Sequence, residues 1–333
     1  MSDEEIRAEE DVGGYNHAHR AFLQAFLSRS VMTVDEIKPI LANIMSAYEG
    51  RPRLEGDITE MDITSMIQMV NSRLQALDYD IRAAHSQTSR ELVYALVNTQ
   101  SDPLTQLATT FTPDEIAYIK RLLDAMFETN NTRRAEIMAV DSIQASQLAK
   151  VARNRQSQVN GHTQHDDEDQ PQESQVAVKG ITIAEAEKVC ASLVSQQFCA
   201  KSRKGYYSLA PRALLELRAY LKETYNEPAD PDDEEDEGIT RIRDCEGCGT
   251  IVTYGQRCSN RDCGCRLHDH CMAQFFRGRN NGERKCPACK APWPGDFFVG
   301  ERAATQGQRR TTGGRRANGG RGQVYDDDDD EEE

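Results

Sequence analysis

The stretch that decides the reading is CEGCGTIVTYGQRCSNRDCGCRLHDHCMAQFFRGRNNGERKCPACK, residues 245–290. Its metal-binding residue types fall in pairs: Cys245-x2-Cys248, Cys258-x4-Cys263, His268-x2-Cys271 and Cys286-x2-Cys289. Structural zinc takes four nitrogen or sulfur ligands in a tetrahedron, so these residues supply two closed sites and leave no open coordination position. In a cross-brace the first and third pairs (Cys245, Cys248, His268, Cys271) share one ion, and the second and fourth (Cys258, Cys263, Cys286, Cys289) share the other. With few large apolar residues between 239 and 300, folding here is expected to rest on the metal, since structural zinc contributes about 10–16 kcal/mol of apparent binding energy. Redox chemistry predicts one CxxC motif, not four paired sets. Cys265 and His270 are surplus donors. Pairing Cys263 with Cys265 would leave Cys258 spare and crowd His268, so Cys258 and Cys263 are kept as the second pair.

Eight of the ten cysteines lie in this segment. In a reducing compartment such clustered thiols read as metal ligands rather than disulfides. The N-terminus, MSDEEIRAEED, is acidic and polar, unlike a signal peptide. No apolar run approaches the roughly 18 residues of a membrane span, so a soluble intracellular chain with no membrane contact is expected. The net charge of −15 over 333 residues comes from two runs, 227–238 and 326–333, each with eight acids and no base. Residues 14–140 carry a net −4, whereas 178–226 and 239–300 are each +4, which puts any nucleic-acid contact in the C-terminal half.

Upstream, the pattern predicts an α+β multidomain chain. After a disordered leader (1–13), Phe22, Leu23, Phe26 and Leu27 share a helix face. Thr33 and Glu36 form a capping box for a second helix bearing Ile37, Leu41, Ile44 and Tyr48, which Pro39 should bend or shorten. A third helix carries Ile63, Met66, Ile67, Val70, Leu74 and Leu77. Strands over 79–85 and 91–98 flank a polar turn. Thr112, Pro113 and Glu115 open a further helix facing inward with Ile119, Leu122, Met126 and Phe127. This order predicts a first winged-helix domain over 14–140. A linker follows over 141–177, in which His162 and His165 have no thiols beside them. Residues 178–226 predict a second winged helix: a helix capped by Thr182 and Glu185, a hairpin around Gly205, and a closing helix from Pro211. Its hairpin carries Lys201, Arg203 and Lys204 with Tyr206 and Tyr207 behind them, a candidate phosphate-backbone contact or simply a solvated turn. An acidic linker (227–238), the zinc domain (239–300) and a disordered Gly/Arg-rich and acidic tail (301–333) complete the chain.

The zinc segment ends in Cys286-Pro287-Ala288-Cys289 followed by Trp293, the CPxC form found in RING domains. PHD fingers share the ligand order but usually carry an aromatic residue where Arg284 stands. The ligand string, QRCSNRDCGCRLHDHC and KCPACKAPWP resemble the variant RING of the non-structural maintenance of chromosomes element 1 family. ELVYALVNT (91–99) resembles a strand of that family, and EAEKVCASLVSQQFC with GYYSLAPRALLELRAYLKETY (within 185–225) resembles its second winged helix. The likeness spans roughly 15–300, apart from the linker.

The resemblance implies a nuclear subunit of the structural maintenance of chromosomes five–six complex, acting in DNA repair. It implies two partners, a MAGE-type subunit and a kleisin subunit. It also implies a RING-type ubiquitin ligase that positions a ubiquitin-charged conjugating enzyme and is stimulated by the MAGE-type partner. No residue here would form a covalent intermediate. Pro287 and Trp293 are the expected docking residues for the conjugating enzyme, and Lys290 the expected ubiquitin contact. At Gly247 the chain departs from active RINGs, where an isoleucine-like docking residue is common, so partner dependence is expected. The mildly acidic first domain is expected to bind protein rather than DNA. A weak DNA contact would come from residues 201–206 or the tail arginines, with a steep salt dependence.

Overall fold

The computed structural model describes residues 14–99, 110–150, 180–229, 238–277 and 284–305. The expected leader, most of the 141–177 linker, most of the acidic linker and most of the tail lie outside these residues.

Local capping chemistry sets the helix starts. The Asn16 side chain accepts from the N–H groups of Ala18 and His19 and opens α1 (His17–Arg29). After β1 (Val31–Thr33), the Thr33 N–H donates to Glu36 Oε2 at 2.8 Å and Glu36 N–H donates to Thr33 Oγ1 at 3.3 Å, starting α2 (Val34–Glu49). Pro39 lies inside α2 without ending it. It removes a donor only in the second turn, where the rest of the helix can still form. Thr59 and Asp62 make the same box for α3 (Glu60–Leu74). Phe22, Phe26, Ile37, Leu41, Ile63 and Val70 form one core. Leu27 and Leu77, expected inside, are 64% and 66% exposed. Leu77 sits in a 3₁₀ turn after α3, where the helical period no longer applies. β2 (Tyr79–His85) and β3 (Leu92–Asn98) form the expected hairpin, and β1 pairs with β3, giving the order β1-β3-β2.

The next helix corrects the expected division at residue 140. α4 (Pro113–Asp124) does not close the first unit. Its Tyr118, Ile119, Leu122 and Leu123 pack in a second core with Val189, Leu193, Leu217 and Leu221. β4 (Val140–Asp141) and α5 (Ser142–Gln147) follow, then α6 (Ile183–Ser195), β5 (Cys199–Lys201) and β6 (Tyr206–Leu209). The sheet order is β4-β6-β5. Both units therefore repeat helix, short strand, two helices and hairpin, with the first strand beside the last. The second unit begins near 110 and takes in residues 141–149, which the sequence reading placed in a linker. An apolar helix face requires a core but does not say which one.

The closing helix is two, α7 (Pro211–Glu216) and α8 (Arg218–Tyr225), meeting at Leu217. Leu215 packs on Val31, Val93, Ala95 and Val97 of the first sheet, joining the units. β7 (Asn226–Glu227) pairs with β8 (Ile239–Thr240) and leads into the zinc segment. There β9 (Gly255–Arg257) runs between β10 (Arg266–Leu267) and β11 (Phe298–Val299), and α9 (Asp269–Phe275) starts directly after His268.

The zinc segment is built into the second core, which also contains Ile242, Ile251, Val252, Leu267, Trp293 and Val299. A buried ion triad crosses the seam. Glu136 receives Arg266 Nε at 2.7 Å and Arg257 Nη1 at 3.1 Å, with Arg266 Nη2 closing a bidentate pair. Asp244 also accepts from Arg218 and Lys222 of α8. Among the described residues no helix is long and apolar enough to cross a membrane.

Candidate metal centre

The two interleaved donor sets come together in space. One ligand atom from each of Cys245, Cys248, His268 and Cys271 lies within 4.8 Å of the others, and the same holds for Cys258, Cys263, Cys286 and Cys289. Zn–S bonds of about 2.3 Å and Zn–N bonds of about 2.0 Å in a tetrahedron place sulfurs about 3.8 Å apart and sulfur from nitrogen about 3.5 Å. His268 Nδ1 stands 3.4 Å from Cys248 Sγ and 3.8 Å from Cys271 Sγ. In the second set Cys258 Sγ is 3.4 Å from Cys289 Sγ and Cys263 Sγ is 3.6 Å from Cys286 Sγ. Both sets fit zinc.

The chain builds each site from a tight turn. The Gly249 N–H donates to the Cys245 carbonyl at 2.8 Å, and Gly249 has φ +70°, a left-handed position suited to glycine. The Gly247 N–H points at Cys245 Sγ from 3.3 Å. At the second site the Lys290 N–H bonds the Cys286 carbonyl at 3.1 Å, and Lys290 takes the matching left-handed position at φ +62°. Lys290→Gly should therefore raise stability by about 0.5–1 kcal/mol, because relief of left-handed strain of about 1–2 kcal/mol outweighs the entropy of glycine. A chemical denaturation midpoint measures it, and a fall would show that the turn tolerates lysine without strain.

His268 is held from behind. Its Nε2–H donates to the Ile251 carbonyl at 3.1 Å, which leaves Nδ1 as the lone-pair nitrogen facing the sulfurs. Burial pushes the Cys258 thiol up to about 12 and raises those of Cys263 and Cys271, whereas the Ala291 N–H holds Cys289 down to about 7. Cys258, Cys263 and Cys271 therefore hold their protons until a cation displaces them. Apparent zinc affinity should therefore rise with pH between about 6 and 8, with protons released on binding. Titration calorimetry in buffers of different ionisation enthalpy measures that release, and pH-independent binding would contradict it.

The surplus donors stay outside both sets. Cys265 is 1% exposed, and its carbonyl accepts from Cys258 N–H and Arg266 Nη1. His270 stacks on His268 with centroids 5.0 Å apart and planes 6° apart, and burial lowers its pKa.

The expected docking residues separate. Pro287 is partly exposed between two ligands, and Lys290 is exposed, its Nζ donating to the Pro287 carbonyl at 2.6 Å. Trp293 corrects the sequence reading: it is 3% exposed, packs on Phe276 and donates Nε1–H to Gln256 Oε1 at 3.0 Å. The chain folds back after Cys289, with Cys286 N–H bonded to the Ala291 carbonyl and Trp293 N–H to that of Arg284. That return turns the indole into a core short of large side chains. At Gly247 an added Cβ would lie 3.0 Å from Cys271 Cβ, so a docking side chain there meets the metal site.

Lys201, Arg203 and Lys204 make no shared site. Lys201 Nζ sits over the Tyr207 ring at 4.8 Å, Lys204 faces Glu301 at 3.6 Å, and Arg203 is exposed. Sequence reasoning passed over Glu136, Arg257, Arg266 and Gln87, whose partners are 121–167 residues away and leave no local signal.

Two interleaved Cys/His sites around a three-stranded sheet and a short helix define a RING-like zinc protein, here fused to two helical units with hairpins. The chain belongs to the family described as Nse1 non-SMC component of SMC5-6 complex, whose model matches residues 19–217. A model described as RING-like domain matches 245–289. The human non-structural maintenance of chromosomes element 1 homolog is 23% identical over 286 residues, covering 85% of this chain and 86% of the relative. Non-structural maintenance of chromosomes element 1 of Schizosaccharomyces pombe is 20% identical, with 86% and 96% covered. A chain from a solved Nse1-Nse3-Nse4 complex superposes with a TM-score of 0.60 at 20% identity, over 84% of this chain and 97% of that one.

Proposed function

We propose that this chain is a RING-type ubiquitin ligase subunit of the SMC5-6 complex, acting in DNA repair in the nucleus. The observation that carries the reading is the closed two-site cross-brace with Pro287 at its surface, in a chain of this family. Zinc supplies structure: Cys245, Cys248, His268 and Cys271 hold one ion, and Cys258, Cys263, Cys286 and Cys289 the other. The cysteines are ligands and not nucleophiles. The domain seats a ubiquitin-charged conjugating enzyme against Pro287 and Lys290, and a substrate lysine attacks the thioester. Any rate gain comes from positioning.

The proposed partners are those the family resemblance implies, a MAGE-type subunit and a kleisin subunit, and a solved relative that is part of an Nse1-Nse3-Nse4 complex supports the reading. Tyr48, Leu54 and Met61 of the first unit are 51%, 71% and 82% exposed and are candidate anchors for such a partner. Leu54→Asp with Met61→Asp should weaken binding of the MAGE-type subunit about tenfold or more, as loss of interface anchors does. Unchanged affinity by calorimetry would place the partner elsewhere. Lys201, Arg203 and Lys204 contribute at most a weak, salt-sensitive DNA contact.

A second reading, a non-catalytic zinc module that stabilises the assembly, is favoured by Gly247 against Cys271 and by the buried Trp293. Pro287→Ala tests the docking assignment within the ligase reading. In the partner-bound complex it should slow ubiquitin discharge without loss of zinc, and an unchanged rate would remove Pro287 from docking.

A further inference from the structure

The turn between β2 and β3 of the first unit reaches the zinc segment through the Gln87 side chain. Gln87 Nε2 donates to the Ile251 carbonyl at 2.8 Å. Its Oε1 accepts from the N–H groups of Thr253 and Tyr254 at 3.0 and 2.8 Å and from Thr253 Oγ1 at 3.2 Å. Ile251, Val252 and Thr253 are all buried, so water does not readily replace Gln87 there. The same Ile251 carbonyl accepts from His268 Nε2 at 3.1 Å. One oxygen thus serves both the first unit and a metal ligand, each using one lone pair. A second contact from this hairpin runs the same way. The His85 ring, at the end of β2, lies 5.5 Å from His270, which stacks on His268. Both contacts converge on the single histidine of the mixed cysteine–histidine site.

We propose that Gln87 is a positioning residue for that site: it fixes the Ile251 carbonyl, the carbonyl orients His268, and the hairpin of the first unit thereby sets how tightly one of the two metals is held. Partners one step behind a ligating histidine typically change metal affinity about 10–100-fold, and Gln87 acts through such a partner, which points to the low end.

The test uses the full chain loaded with cadmium-113, whose resonance distinguishes a three-sulfur, one-nitrogen site from a four-sulfur site. Gln87→Ala should move the mixed-site resonance, leave the four-sulfur resonance in place, and speed release of the mixed-site metal to a chelator about tenfold. Gln87→Glu keeps an acceptor for Thr253 and Tyr254 but loses the donor to Ile251, so it should show the same selective change while the segment stays docked. The glutamate variant also carries the test alone if the alanine variant fails to fold. Unchanged resonances and release rates, or equal acceleration at both sites, would overturn the proposal. So would a glutamate variant indistinguishable from the unsubstituted protein, because Gln87 would then be a clamp on the loop and nothing more.

Discussion

Stripping both metals with a chelator will unfold the zinc segment and turn the emission of the only tryptophan to the red. Trp293 is 3% exposed and lies within that segment, so its spectrum reports this unfolding directly. The effect is expected to be the largest the molecule can show, because each structural zinc contributes about 10–16 kcal/mol of apparent binding energy that doubles as folding energy. The apolar residues between the ligands are few and shared with the second unit, so they cannot hold the fold alone. Damage should spread to that unit through the common core of Ile242, Ile251 and Leu267 with Leu217, Leu221 and Tyr225. The first unit has a core of its own around Phe22, Phe26 and Ile63 and should keep its helical circular dichroism longest. Cys286→Ser should give the same red shift with zinc present. Metal loss without any change in tryptophan emission would show that packing, not zinc, holds this segment.

Glu136→Ala should cost about 3–5 kcal/mol, the loss expected when one member of a buried ion group is removed and its partners remain. Arg257 and Arg266 are 5% and 2% exposed, and Glu136 is 6% exposed. Without the carboxylate, two guanidinium groups would stay buried beside each other, and burial first, with the Arg266 charge after it, already lowers the Arg257 pKa. The loss should appear in the urea midpoint of the zinc-loaded protein. Adding Arg266→Met should recover part of it, since a buried charge is replaced by an apolar side chain of similar reach. A cost below about 1 kcal/mol would mean that the group behaves as a solvated surface pair.

Legibility in the sequence followed the range of the interaction. Capping boxes at Thr33, Thr112 and Thr182 act over three residues, and each helix starts where its box stands. Zinc ligand pairs are also short-range, and tetrahedral demand calls for two pairs per ion; their interleaving is the expectation of a cross-brace, and the two donor sets meet in space as that arrangement requires. The allegiance of α4 could not, because Ile119 and Leu122 announce an apolar face without naming the core that receives it. The same limit hid the fate of Trp293. Beside a CPxC turn an indole can face a partner or the interior, and the choice was made by Gln256 and Phe276, remote in sequence. Gln87 and Glu136 read as ordinary surface residues until the units are packed together.

The ligase reading is tested most directly by discharge of ubiquitin from a charged conjugating enzyme by the zinc-loaded chain, alone and with the proposed MAGE-type partner. The account predicts slow discharge alone, where Gly247 offers no docking side chain, and faster discharge with the partner. Absence of discharge from the complex across a broad panel of conjugating enzymes would contradict it and leave the zinc domain as a structural module of the assembly.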